Sequence, residues 1–306
     1  MLFCRELFRL KYTLNQRVNI GLNVYMQLRT STLLMGLLAG IGSSAAASAA
    51  TPQGELTVSF NQLPVKQIYT GKLFQQDWQS AVWDGTRGRA CIEIDKANPR
   101  SRLLRIKYPA HQVGPVKSGG QALVRLQQAD EYYLSYRVRF QPNFDFRKGG
   151  KLPGLASGDG KYSNGVKPVH GDGWTARLMW LNDGKLVPYV YYVGMPKENH
   201  WGESWETNTF LKPDVWYTIT QRIRLNNPGK SDGTYTIWLN NQKIADRHDM
   251  LWRYGNKGMI DSFIFSTFHG GNTADWAPRW DCYADFDDFR IAATPPTILK
   301  TVLSQR

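Results

Sequence analysis

The sequence is short of the residues on which most metal and redox chemistry depends. Its 306 residues include three cysteines and five histidines. No His-Glu-x-x-His motif or Cys/His ligand spacing occurs, which leaves a zinc mechanism without donors. No metal or cofactor is expected. Acidic residues are scarce as well, with 25 Asp and Glu against 38 Lys and Arg and a formal net charge of +13. Summed positive charge concentrates anions around a protein, so a polyanionic partner is expected. No recognition helix, zinc-finger spacing or RNP-type motif is present, which removes nucleic acid from the candidates.

Internal repeats and long internal linkers are missing too, and one domain is the simpler organisation for this length. The apolar run from Leu33 to Ile41 falls short of the ~20 residues of a bilayer span, so no membrane span is expected. What surrounds that run is informative. Arg29 precedes it, and the small-residue stretch Ser43 to Ala50, containing Ala47-Ser48-Ala49, follows, which is the order of a secretory signal peptide. Residues 1–49 are therefore read as an N-terminal extension plus signal, with its core at about 26–49 and Met26 an alternative start to Met1. Residues 50–306 are read as the mature domain, a monomer exported to the periplasm or secreted. Removal of the signal takes Cys4 with it. Cys91 and Cys282 remain, and an oxidising compartment makes a disulfide between them a candidate.

The rest of the chain is rich in short extended patterns. Residues 55–60, 102–108, 121–126, 132–140, 216–225, 235–239, 243–246, 260–268 and 282–291 read as strands, and 78–88 reads as loop. Many short strands with almost no helical period predict an all-β, antiparallel β-sandwich. Trp174, Trp180, Trp216 and Trp238 fall in strands and are expected in the core. Trp201, Trp205, Trp276 and Trp280 fall in loops, where an indole either closes the sandwich or stacks on a sugar.

One stretch stands out. Residues 173–193, GWTARLMWLNDGKLVPYVYYV, read as a hairpin turning at Asn182-Asp183-Gly184. Side chains at i and i+2 share a strand face, so Thr175 and Arg177 point one way and Tyr189 and Tyr191 point together. With Gly149-Gly150-Lys151-Leu152-Pro153-Gly154-Leu155 upstream and Phe265-Ser266-Thr267-Phe268-His269-Gly270-Gly271 downstream, this hairpin resembles polysaccharide lyase family 14. The likeness runs from about Leu103 to Ile291.

That resemblance implies a β-jelly roll and an enzyme that cuts an acidic polysaccharide, an anionic uronate polymer, by β-elimination. Alginate is the first expectation. A glucuronan lyase of the same fold and a non-catalytic carbohydrate-binding module are the alternatives. It also carries catalytic roles onto Lys151, Thr175, Arg177, Tyr189 and Tyr191, where threonine stands at a position usually occupied by serine. In β-elimination the C5 proton leaves, the bond from C4 to the glycosidic oxygen breaks, and charge moves onto the carboxylate. Arg177 suits carboxylate recognition because its planar fork stays protonated. Tyr191 or Lys151 would take the proton and a tyrosine would supply one. A phenol with a pKa of about 10 needs nearby positive charge to act as a base. His170, His269 and Trp276 are kept as substrate-binding candidates.

Three other signals fail. Glu93-Ile94-Asp95 resembles half of a glycosidase acid pair, but Ala97 and Asn98 stand where the second glutamate should be. Gly160-Lys161 has Leu155 and Tyr162 where a phosphate loop needs glycine and Ser/Thr, and residues 154–173 are read as a mobile loop beside the cleft. Asp285, Asp287 and Asp288 are read as surface charge.

Overall fold

The computed structural model describes residues 55–79 and 81–299, so the signal peptide and start-site readings, with the export they imply, lie outside the described residues. Among these, the strands are β1 (Leu56–Val58), β2 (Ala81–Asp84), β3 (Ala90–Asp95), β4 (Asn98–Tyr108), β5 (Gly120–Ala129), β6 (Glu131–Phe140), β7 (Gly149–Ser157) and β8 (Trp174–Leu181). They continue with β9 (Lys185–Tyr191), β10 (Thr209–Phe210), β11 (Tyr217–Arg224), β12 (Gly233–Leu239), β13 (Gln242–Met250), β14 (Ile260–His269) and β15 (Cys282–Ala292). Two short helices, α1 (Gly71–Trp78) and α2 (Gly114–Lys117), complete the main elements.

The strands form two antiparallel sheets. One runs β13-β12-β11-β6-β15-β4-β3, with β1 paired to β15, and the other runs β10-β9-β8-β7-β14-β5-β2. Their facing side chains make one core, in the β-sandwich expected from the strand pattern and the jelly roll that the family resemblance implies. Alternation sorts each strand: Trp174, Ala176, Leu178 and Trp180 of β8 point into the core against Tyr136, Val138 and Phe140 of β6 and their neighbours. Gly150 is required on β7 because a Cβ there would stand 2.0 Å from the Trp180 ring.

The register between β7 and β8 shifts between Leu152 and Leu155, a bulge that contains Pro153. A carbonyl freed inside the sandwich needs a donor. Gln221 of the opposite sheet supplies it, its amide donating to Pro153 O at 2.8 Å while its own oxygen accepts from Tyr235 Oη at 2.7 Å.

Several expectations are corrected. Cys91 and Cys282 are both free. Cys91 lies opposite Arg105 and Cys282 opposite Tyr108, on strands that flank β4 from either side. Two strand spacings, each about 4.8 Å, exceed the Cα separation that a disulfide spans. Trp174 and Trp180 are core residues, but Trp216 is not: its indole lies between Arg137 and Arg139, 4.4 and 4.7 Å from their Cζ atoms, and donates to Asp95. Trp238 is buried with Tyr133 and Leu299 outside the main core. Asp285 and Asp287 are buried rather than surface charge. Asp285 accepts from Arg105 at 2.7 Å and Arg139 at 2.9 Å, and Asp95 pairs with the same Arg139. The region 78–88 is not simply loop, since α1 ends in it and β2 follows. Thr70 caps α1, and its Phe74 and Trp78 stack at 5.3 Å as they enter the core. Residues 154–157 belong to β7, leaving 158–173 as the loop.

Candidate active site

The outer face of the β10-to-β2 sheet carries the site. Thr175 pairs with Tyr191 and Arg177 with Tyr189 across β8 and β9. Lys151 of β7 pairs with Met179 on one side and with Phe268 of β14 on the other. Cross-strand partners share a face, so three neighbouring strands, β7, β8 and β9, bring Lys151, Thr175, Arg177, Tyr189 and Tyr191 together. All five candidates from the motifs converge. Ser266 and Met179 join them and were not singled out from sequence. Both were within reach of the same period-2 reasoning, Met179 two residues beyond Arg177 and Ser266 two before Phe268.

The two cations have no acidic partner among the described residues. Lys151 Nζ contacts Met179 Sδ at 2.8 Å and stands 3.6 Å from the Tyr189 ring centroid. Arg177 donates to Ser266 Oγ at 3.3 Å, and its buried Nε has no hydrogen-bond partner. Burial, and after it the charge of Arg177, drives the Lys151 amine well below the ordinary lysine value. Burial also lowers the Arg177 guanidinium, which nevertheless remains charged because its ordinary value is so high. The result is a desolvated basic pocket in which an amine of lowered proton affinity stands beside a guanidinium, built to receive an anion.

The tyrosines differ from each other. Tyr189 is half-buried, and its phenol is raised by burial and by Tyr191, outweighing the pull of Arg177. The depressed phenol expected of a tyrosine base is therefore absent at Tyr189, which keeps its proton. Tyr191 is fully buried; its hydroxyl lies 3.1 Å from Tyr189 Oη and accepts from Gly165 N at 3.1 Å. Thr175 is buried too and donates to Tyr162 O at 2.6 Å. These two hydroxyls tie the 158–173 loop to the sheet, and Thr175 is thereby engaged with backbone.

His269 is not in the cleft. It follows Phe268 by one residue and so points to the opposite, core face of β14. Its Nε2 donates to Asp145 O at 2.8 Å, and its ring lies 5.5 Å from those of Tyr108, Phe144 and Trp180. Burial lowers its pKa to about 4. His170 is exposed in the 158–173 loop, and none of the site's hydrogen bonds reaches it. Trp276 is half-buried over the end of β14, so close that a Cβ on Gly271 would stand 2.3 Å from its ring. Among the described residues no three His, Cys, Asp or Glu side chains group to hold a metal ion, and no helix is long and apolar enough to cross a membrane.

A jelly roll with a lysine, an arginine and two tyrosines on one sheet face defines a polysaccharide lyase. The family model described as polysaccharide lyase 14 matches residues 96–289, more than half of the chain. The chain belongs to that family. Among solved structures it is similar to the marine PL-14 alginate lyase from Aplysia kurodai, at 25% identity and TM-score 0.66 over 78% of this chain and 98% of that one. A mutant of the alginate lyase Aly36B in complex with an alginate tetrasaccharide matches at 22% identity and TM-score 0.69, over 79% of this chain and 98% of that one. The alginate lyase vAL-1 from Chlorella virus matches at 20% identity and TM-score 0.61, over 76% and 99%. Comparison with curated proteins found no match.

Proposed function

We propose that this lyase cleaves alginate by β-elimination, and that it is exported by its signal peptide to meet that polymer. The observation that carries the reading is the pair Lys151 and Arg177, buried side by side without an acidic partner among the described residues. A uronate carboxylate supplies the missing charge. Arg177 binds it and stabilises the negative charge that develops on it as the C5 proton leaves. The Lys151 amine, whose hold on a proton burial and Arg177 weaken, takes that proton in its uncharged form, the electron pair forms the C4–C5 double bond, and the bond from C4 to the glycosidic oxygen breaks. The Tyr189 phenol, which holds its proton, protonates the departing oxygen. Tyr191 and Thr175 keep the loop and the Tyr189 hydroxyl in place. The family membership and the alginate lyases of the same fold support this substrate.

The test is ultraviolet absorbance at the unsaturated-uronate band during incubation of the mature domain with alginate blocks and, separately, glucuronan. A rise on alginate is expected. A rise on glucuronan alone keeps the chemistry and moves the substrate, and a folded protein that produces neither rise overturns the reading.

A further inference from the structure

Trp201 is the most exposed large hydrophobic residue among the described ones, at 64% relative exposure. Among the described residues it forms no hydrogen bond and no ring pair. The other loop tryptophans are committed elsewhere. Trp280 donates to Asn143 O and lies under Arg279, Trp205 packs on Tyr235 beneath Arg247, and Trp276 covers Gly270 and Gly271.

The position of this free indole is specific. Its ring edge lies against Gly165, where a Cβ would come within 3.3 Å of Cζ3. Gly165 N–H is the group that donates to Tyr191 Oη. The next residue in the chain, Gly202, backs onto the same two phenols: a Cβ there would stand 2.8 Å from the Tyr191 ring and 3.2 Å from the Tyr189 ring. Antiparallel hydrogen bonds between Val190 and Glu203 fix this segment to the edge of β9. Trp201 is therefore held beside the tyrosine pair, on the side away from Arg177. Lys167, which donates to Lys197 O, adds an ammonium without an acidic partner among the described residues.

We infer that Trp201 is a sugar-stacking platform for the uronate residue that departs with the glycosidic oxygen. Crossing the sheet from β8 to β9, Arg177 holds the carboxylate of the residue that loses its C5 proton, Tyr189 meets the scissile oxygen, and Trp201 follows. The apolar C–H face of a pyranose ring packs on an exposed indole, and Lys167 complements the carboxylate of that sugar. This inference rests on the proposed lyase reading.

The experiment separates the two. Binding of an alginate tetrasaccharide is measured by calorimetry to the Lys151→Ala protein, with and without Trp201→Ala or Trp201→Phe, after equal melting temperatures confirm folding. Trp201→Ala should weaken binding about tenfold, a loss within reach of an aromatic contact, and Trp201→Phe should recover part of it. In the otherwise wild-type enzyme, Trp201→Ala should raise KM for alginate with little change in kcat. Unchanged tetrasaccharide affinity in Trp201→Ala overturns the platform and leaves the lyase reading intact. Absence of binding to the Trp201-containing protein, together with absence of elimination by the wild type, overturns both.

Discussion

Lys151 Nζ stands 3.6 Å above the ring of Tyr189, so the amine and the only half-exposed phenol of the pair form one unit. An aromatic face favours a cation there, yet burial and Arg177 both disfavour one. Desolvation is the first of these causes, and the amine is held ready to accept a proton. Activity on a uronate polymer should accordingly rise with pH through a group lying below the ordinary lysine value. A pH profile of kcat/KM whose ascending limb disappears in Lys151→Ala, in whatever activity remains, checks this. A limb that persists unchanged would assign the base elsewhere.

The same burial makes Lys151 costly to the fold. Below its depressed pKa the folded protein carries a charge that the interior penalises. Between that value and the ordinary 10.5, the unfolded chain binds a proton that the folded chain refuses, so stability rises with pH across this window. Lys151→Met should be inactive and more stable by about 1–3 kcal/mol, with the gain largest on the acid side and vanishing at alkaline pH. Urea denaturation of the two proteins at several pH values measures it.

Arg177 donates to Ser266 while its Nε remains unpartnered. A carboxylate met by a planar fork cannot be served equally by a point charge. Arg177→Lys should lower kcat/KM by about 100-fold, a loss of about 2.7 kcal/mol in transition-state stabilisation. Steady-state rates on alginate would show it, and near-normal activity would place the carboxylate elsewhere.

Tyr189 and Tyr191 should separate on substitution. Tyr189→Phe removes the proposed proton donor and should reduce kcat by at least about 100-fold with a small change in KM. Tyr191→Phe removes the acceptor for Gly165 N and should chiefly loosen the 158–173 loop. The readout is limited proteolysis within 158–173 beside KM and kcat: cleavage and KM should rise for Tyr191→Phe and stay level for Tyr189→Phe.

His269 gives the protein an acid limb of instability. Its pKa is about 4 folded and 6.5 in the unprotected side chain. Below 6.5 the unfolded chain takes up a proton that the folded one rejects, so stability falls as pH drops toward 4 and levels beyond it, by about 3 kcal/mol in all. His269→Gln keeps a donor for Asp145 O and cannot titrate. It should be less stable near pH 7 through lost packing, with a visibly flatter decline on acidification in denaturation midpoints.

The sandwich and the faces of its central hairpin were legible in the chain's local pattern, because period-2 alternation and the Asn182-Asp183-Gly184 turn are local properties. That pattern put Thr175 with Arg177 and Tyr189 with Tyr191, and the lysine motif supplied Lys151. The rest depended on contacts distant in sequence. Whether Cys91 meets Cys282 is decided by β4 running between them, and whether Trp216 is core is decided by Arg137 and Arg139 closing on it. His269 lies one residue from the cleft face, a parity fixed by the register and bulges joining β14 to β7. Proton affinities were least legible of all. Tyr189 lies beside Arg177, whose charge alone would lower its phenol, and only the tertiary burial of the ring, together with Tyr191, reverses the sign. Local pattern sets which side of a strand a residue faces; packing sets what it finds there.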